Sequence, residues 1–208
     1  RIGADPFNPA DVSPFATLKA AYNNLDDSAA GWMLLRRGDM WDVSLSLTLS
    51  GPPGGEGWAM IGAYTDPEYP EAVRPAVDRI RSDGVSSLSR IAIVGLELIG
   101  SNSAGIQLRR PGSEILLEDL FIPPGNGNGI NIEAGSGPIT DLQVRRCIIF
   151  GRYTLILQEP PHRQGLLVRG ADGVHGVLVE ECVFWHNGWT SQECSWKYPC
   201  PDPPAVAT

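Results

Sequence analysis

Ile91-Ala92-Ile93-Val94-Gly95-Leu96-Glu97-Leu98 is a line that the chain writes four times. Its pattern returns in Ile115-Leu116-Leu117-Glu118-Asp119-Leu120-Phe121-Ile122, in Leu142-Gln143-Val144-Arg145-Arg146-Cys147-Ile148-Ile149 and in Val177-Leu178-Val179-Glu180-Glu181-Cys182-Val183-Phe184. Apolar residues hold the first, third, sixth and eighth places of every copy. A step of two puts alternate side chains on one face of a strand. The step of three between the third and sixth places marks a corner, after which alternation resumes. The copies start at 91, 115, 142 and 177, intervals of 24, 27 and 35 residues. That period is too short for a domain and fits one coil of a solenoid.

Shorter strands lie between these lines: Gly105-Ile106-Gln107-Leu108, Gly129-Ile130-Asn131-Ile132 and Gly165-Leu166-Leu167-Val168. The first two are again 24 residues apart, and the third is delayed by an insertion over Gly151 to His162. Three short strands per coil, each parallel to its neighbours above and below, predict an all-β protein, a right-handed parallel β-helix (solenoid). Each coil then buries about six aliphatic side chains, worth ~1.5–3 kcal/mol apiece before chain entropy is charged.

Towards the N-terminus, Ser13-Pro14 reads as an N-cap followed by proline at the first helical position. Phe15, Leu18, Ala21, Tyr22 and Leu25 share one helical face, so a helix is expected over about 14–25, capping the first coil. Trp32 to Leu35 reads as a strand, Arg37-Gly38-Asp39 as a turn, and Val43, Leu45, Leu47 and Leu49 as the buried side of a second strand. Ala59 to Tyr64 returns to strand; Thr65 to Ser89 reads as an excursion before regular coils begin at about 89. Residues 1–189 are thus expected to form one domain, with an irregular Cys/Pro-rich tail over 190–208.

The 24 glycines and 18 prolines among 208 residues favour many turns over long helices, and the 42% hydrophobic share supplies a core. A net charge of −8, with arginines only in isolated pairs, argues against a nucleic-acid partner. No stretch reaches the ~20 apolar residues that span a bilayer. The chain opens at Arg1 without a signal peptide, which fits a leader already removed. Cys147 and Cys182 share the sixth place of successive copies and read as stacked core thiols, a bridge between them left open. Cys194 and Cys200, six apart in the tail, read as a short disulfide loop, which implies an oxidising, extracellular compartment.

Pro14 to Ala21, Trp32 to Trp41, Gln164 to Val168 and Gly176 to Trp189 together resemble the right-handed β-helix proteins of the pectate-lyase-like superfamily, in particular its secreted bacterial members. The similarity runs from about Pro14 to Trp189. Members usually continue for several more coils, so a fragment, a truncated relative, or one closed by its Cys-Pro tail is expected. The resemblance implies a secreted or cell-surface protein that binds a polysaccharide and has the lineage of enzymes that cleave one. Lyases of this kind place arginine, lysine or histidine near a substrate carboxylate, often with calcium; hydrolase relatives use paired carboxylates.

Lysine occurs only at Lys19 and Lys197, which weakens a lysine base. His186, which follows a strand at a corner, is the sharpest catalytic candidate, weighed against a turn-capping role for His186 and Asn187. His162 and Arg163, at the end of the insertion, and Glu133, after a short strand, complete the catalytic set. Arg109, Arg146, Asn187, Trp185 and Trp189 are the expected substrate-binding residues, the tryptophans by stacking on sugar rings. Glu97, Asp119, Arg146 and Glu181 are read as one surface column, with Glu118, Arg145 and Glu180 beside it, a charge ladder of mixed sign. Asn126-Gly127-Asn128-Gly129 reads as a corner of left-handed residues. A non-catalytic adhesion or surface-assembly module is the alternative, and it would carry an exposed apolar or aromatic patch in place of a groove.

Overall fold

The computed structural model describes residues 15–23, 31–46, 57–82, 87–100, 104–124, 127–135, 137–150, 164–170 and 173–185. One short helix, α1 (Leu18–Tyr22), precedes β1 (Trp32–Arg36), β2 (Met40–Ser46), β3 (Ala59–Tyr64) and β4 (Ala76–Arg81). Three strands per repeat follow: β5 (Leu88–Val94), β6 (Glu97–Leu98) and β7 (Ile106–Leu108), then β8 (Gly112–Glu118), β9 (Phe121–Ile122) and β10 (Ile130–Ala134). Next come β11 (Ile139–Arg145), β12 (Ile148–Phe150) and β13 (Leu166–Gly170), and last β14 (Val174–Glu180) and β15 (Val183–Trp185). One sheet runs β1-β3-β5-β8-β11-β14, the other β13-β10-β7-β4-β6-β9-β12-β15, with β2 on β4. Every pairing is parallel. The second sheet is strongly curled, because β4 pairs at its start with β6 and at its end with β7. From β5 onward like strands of successive repeats lie side by side, an arrangement compatible with a parallel β-helix.

The register is the one the repeat demands. Ile91 pairs with Ile115, Ile115 with Leu142 and Leu142 with Val177. Sixth places follow suit around the corner: the N–H after each donates to the sixth-place carbonyl of the preceding copy. Phe121 donates to Leu96 at 2.9 Å, Ile148 to Leu120 at 2.8 Å and Val183 to Cys147 at 2.8 Å. Leu96, Leu120 and Cys147 are wholly buried in a single file, and Cys182 continues it. Leucine and isoleucine fill this interior because each side chain gains contacts from the neighbouring strand as well as across the core.

Two columns of left-handed residues turn the chain at fixed points. Gly95, Asp119, Arg146 and Glu181 have φ of 74°, 51°, 52° and 54°; Arg90, Glu114, Asp141 and Gly176 have φ of 51°, 54°, 53° and 63°. A non-glycine residue there costs roughly 1 kcal/mol, because its Cβ crowds the carbonyl oxygen. The packed file inside outweighs that strain and holds the corners in place.

Several sequence expectations change. The helix is shorter than 14–25: Thr17 is the N-cap, its Oγ1 accepting from Ala20 N at 3.1 Å, and Leu18 and Tyr22 are the residues it buries. The excursion over 65–89 contains β4, with Val77 and Ile80 fully buried. Their spacing of three is the same corner signature as in the repeats, with Asp78 and Arg79 obscuring it. Val43 is exposed because the β2–β4 register slips between Trp41 and Ser44, turning it outward. Glu97 does not join the column of Asp119; it pairs with Phe121, and Gly95 holds the corner place instead. Of the expected Asn126–Gly129 corner, Asn126 lies outside the described residues, and Gly127, Asn128 and Gly129 have no positive φ. Gly129 is needed for room, since a Cβ would stand 2.3 Å from Ile149 Cγ2. Cys147 and Cys182 are free thiols. Leu47, Leu49, the insertion over 151–163, Cys194 and Cys200 lie outside the described residues.

Exposed Asp141 isolates the corner strain. Asp141→Gly should raise stability by about 1 kcal/mol and Asp141→Val should lower it by at least as much, read from urea unfolding midpoints. Leu120→Ala, emptying the middle of the file, should cost about 2–5 kcal/mol in the same measurement.

Candidate functional site

Strands β7, β10 and β13 lie side by side, with Ile106, Ile130 and Leu166 in register, as are Gln107, Asn131 and Leu167. Alternation sends Ile130 and Ile132 inward and Asn131 and Glu133 outward. Glu133 pairs with Arg169 in register, and Arg109 follows the end of β7 on the other side. The carboxylate therefore sits between two arginines contributed by the neighbouring strands on either side.

Both carboxylate oxygens are engaged. Arg109 Nε donates to Glu133 Oε2 at 2.7 Å, and Arg169 Nε donates to Oε1 at 2.7 Å, with Arg169 Nη2 also on Oε1. The Glu133 side chain is 13% exposed, whereas those of Arg109 and Arg169 are 51% and 66% exposed. Burial alone pushes the Glu133 carboxyl up, but hydrogen bonds from Arg169 and Arg109, with their positive charges, outweigh it and hold it below the ordinary carboxylate range. A half-buried, clasped, ionised carboxylate positions its neighbours; a general acid requires the opposite shift.

Gln107 and Asn131 flank this cluster, each about nine-tenths buried although they stand on the outward side of their strands. Gln107, with its amide oxygen assigned towards Arg109, accepts from Arg109 Nη2 at 2.8 Å. Among the described residues Asn131 Oδ1 is buried without a hydrogen-bond partner. Arg109 is anchored through its backbone as well, its N–H donating to the Ser82 hydroxyl at 2.8 Å. The strip thus gathers Arg109 and Arg169 around one glutamate, on a protein of net charge −8.

Of the other expected site residues, Arg146 forms the corner next to β12, paired with Glu118 and, at 4.0 Å, with Glu181. Arg145 pairs with Glu180 at 2.5 Å, Arg74 with Asp119 at 2.6 Å and Arg90 with Glu114 at 2.9 Å. These acids and arginines offset one another between coils. Trp185 ends β15, on a different face from Glu133, where the outward residues from β9 onward are apolar, Glu97 of β6 standing beside them. Phe121, Ile148 and Val183 are in register there, as are Phe150 and Trp185, and the Phe121 and Phe150 rings meet edge to face at 5.7 Å. His186, Asn187, Trp189, His162 and Arg163 lie outside the described residues. Reading by residue type passed over Arg169, Gln107 and Asn131; the register Glu133–Arg169 was available from the glycine-led strands, whose third member simply starts 36 residues later.

Calcium takes six to eight oxygen ligands. Glu133 offers both of its oxygens to arginines, and Glu118 and Glu180 are likewise paired, so these carboxylates do not fit the ion. Among the described residues no three His, Cys, Asp or Glu side chains gather as metal ligands. Cys147 is no alternative nucleophile, because burial pushes its thiol up to about 12.

The clasp sets an acid dependence. A carboxyl held below its unfolded value contributes stability that is present above that value and lost as pH falls through the folded one. Wild type should therefore lose stability below about pH 4.5 more steeply than Glu133→Gln, measured by urea unfolding at stepped pH. In mass-mapped alkylation of the native protein, Cys147 should stay unmodified until unfolding.

Compared with protein families, with curated proteins and with solved structures, the chain matches none.

Proposed function

We propose that the chain is a right-handed parallel β-helix of the pectate-lyase-like kind, secreted or held at the cell surface, that binds an acidic polysaccharide across β7, β10 and β13. The observation that carries this reading is the pair of exposed arginines clasping Glu133. Two guanidiniums bring ten N–H donors to one carboxylate, more than its lone pairs accept, and their planar forks suit a second carboxylate on a ligand. Asn131 and Gln107 stand buried beside them, and Gln107 accepts from Arg109 and so holds its guanidinium in place. The long row of parallel strands matches the extended form of a polymer. Glu133 serves here as a positioning residue; any cleavage falls to groups elsewhere, with His186 and His162-Arg163 the candidates by residue type.

A second reading, the non-catalytic adhesion or assembly module, draws on the outward apolar row of Phe121, Ile148, Phe150, Val183 and Trp185.

The test is calorimetric titration with polyuronate and with neutral glucan oligomers, alongside assays for unsaturated product and reducing ends. Polyuronate should bind, with Arg109→Ala and Arg169→Ala each weakening it about tenfold, the loss expected for a charge-assisted hydrogen bond. Equal affinity for neutral glucan, or indifference to both variants, overturns the proposal. Silence on every glycan, with surface adhesion lost in Phe150→Ala, favours the second reading.

A further inference from the structure

Cys147 and Cys182 hold the sixth place in consecutive copies of the repeat, where Leu96 and Leu120 stand before them. Leucine serves that place for packing alone, so packing does not call for sulfur twice running. The two coils are tied at this point: Val183 N donates to Cys147 O at 2.8 Å, and Ile148 and Val183 are in register. Adjacent strands stand about 4.8 Å apart, inside the roughly 4.4–6.8 Å that a disulfide spans between Cα atoms. Both side chains turn the same way, into the core. Each thiol donates to the carbonyl two residues earlier in its own coil, Cys147 to Arg145 and Cys182 to Glu180, both at 3.2 Å. Cys182 also reaches across to Val144 O at 3.4 Å, on the strand that leads into Cys147. It lies there within hydrogen-bond reach of the Cys147 thiol. Both are free thiols in this structure, the reduced form of the pair.

We infer that Cys147 and Cys182 are the two ends of a disulfide that staples neighbouring coils from inside the core, formed during folding with a small-molecule disulfide as oxidant. The Cys182 thiolate attacks that disulfide, forms a mixed disulfide and expels one thiolate. Cys147 then attacks the Cys182 sulfur, the S–S bond within the protein forms, and the second thiolate leaves. The two cysteine protons end on the two expelled thiols, and two electrons pass from the cysteines to the small disulfide. Burial sets the timing. In the packed coil Cys147 is wholly buried and its thiol is pushed up to about 12, so the exchange belongs to the closing coil and not to the finished one.

The bond joins the corner after β11 to the corner after β14. It does so where the interval between copies is longest, 35 residues against 24 and 27. The ladder has to be rejoined there after the longest excursion, and closing a longer loop costs more chain entropy. A covalent link across that loop removes conformations from the unfolded chain and holds the register that the apolar file selects. Sugar binding plays no part in the bond, so this inference and the arginine face stand or fall separately.

Refolding of the full chain from urea in oxidised and reduced glutathione tests it, first in a background of Cys194→Ser and Cys200→Ser that leaves only this pair. Tryptic mapping without reductant should link the peptide that begins at Cys147 to the one that holds Cys182, two hydrogens lighter than their sum. The linked protein should resist urea better than the reduced one, by about a hundredfold in the folding equilibrium constant. Cys182→Ala in the same background should unfold at one midpoint with or without reductant, whatever its own stability. Wild type, with all four cysteines, should carry the same link between Cys147 and Cys182. Two free thiols after refolding in the oxidising buffer overturn the inference, as does a link between chains. So does a linked protein no more resistant to urea than the reduced one, or a wild type that joins Cys182 to Cys194 or Cys200 instead.

Discussion

Vertical register inside the stack is the constraint on which the rest depends. Leu96, Leu120, Cys147 and Cys182 stand in one file because each coil repeats the same pattern of steps around the same corner. A slip of one residue would turn every inward side chain out, so the apolar file selects the register and the backbone ladder then locks it. The corners obey this order even at a cost. Asp119, Arg146, Glu181, Arg90, Glu114 and Asp141 all take positive φ without being glycine. Local preference would place glycine there, and burial of the file overrides it.

What happens on the outside is a consequence of that stacking. Equivalent places of adjacent coils stand about 4.8 Å apart, so any charge repeated at one place would face its own kind. The protein alternates sign instead, as in Arg109, Glu133 and Arg169, or Glu118, Arg145 and Glu180 with the corner arginine Arg146. Exposed pairs of this sort contribute little stability individually. Their effect is to hold long arginine side chains in fixed positions, which is the property a binding face needs. The clasp on Glu133 differs from the rest in having one half-buried acid between two exposed bases.

Much of the core could be read by counting. Strands β5, β6, β8, β9, β11, β12, β14 and β15 follow from four copies of one line, and β7, β10 and β13 from three glycine-led segments. Strand β4 escaped because Pro75, Asp78 and Arg79 break its apolar run, although Val77 and Ile80 carry the corner spacing in plain view. Val43 was misplaced because a register slip has no signature in one strand's own residues; it exists only between β2 and β4. At the site, Glu133 and Arg109 were legible as residue types. That Arg169 would close the clasp, and that Gln107 and Asn131 would be buried beside it, depended on which coil lies over which.

The sequence alone determined the period, the inward places and therefore the parallel stacking of strands, because hydrophobic burial acts on spacing that can be read along a line. Only the tertiary structure decided which acid meets which arginine, and that the Glu133 carboxyl is held ionised by two of them. Those are properties of neighbours on other coils, and distances between coils are set by the packed stack, never by separation along the chain.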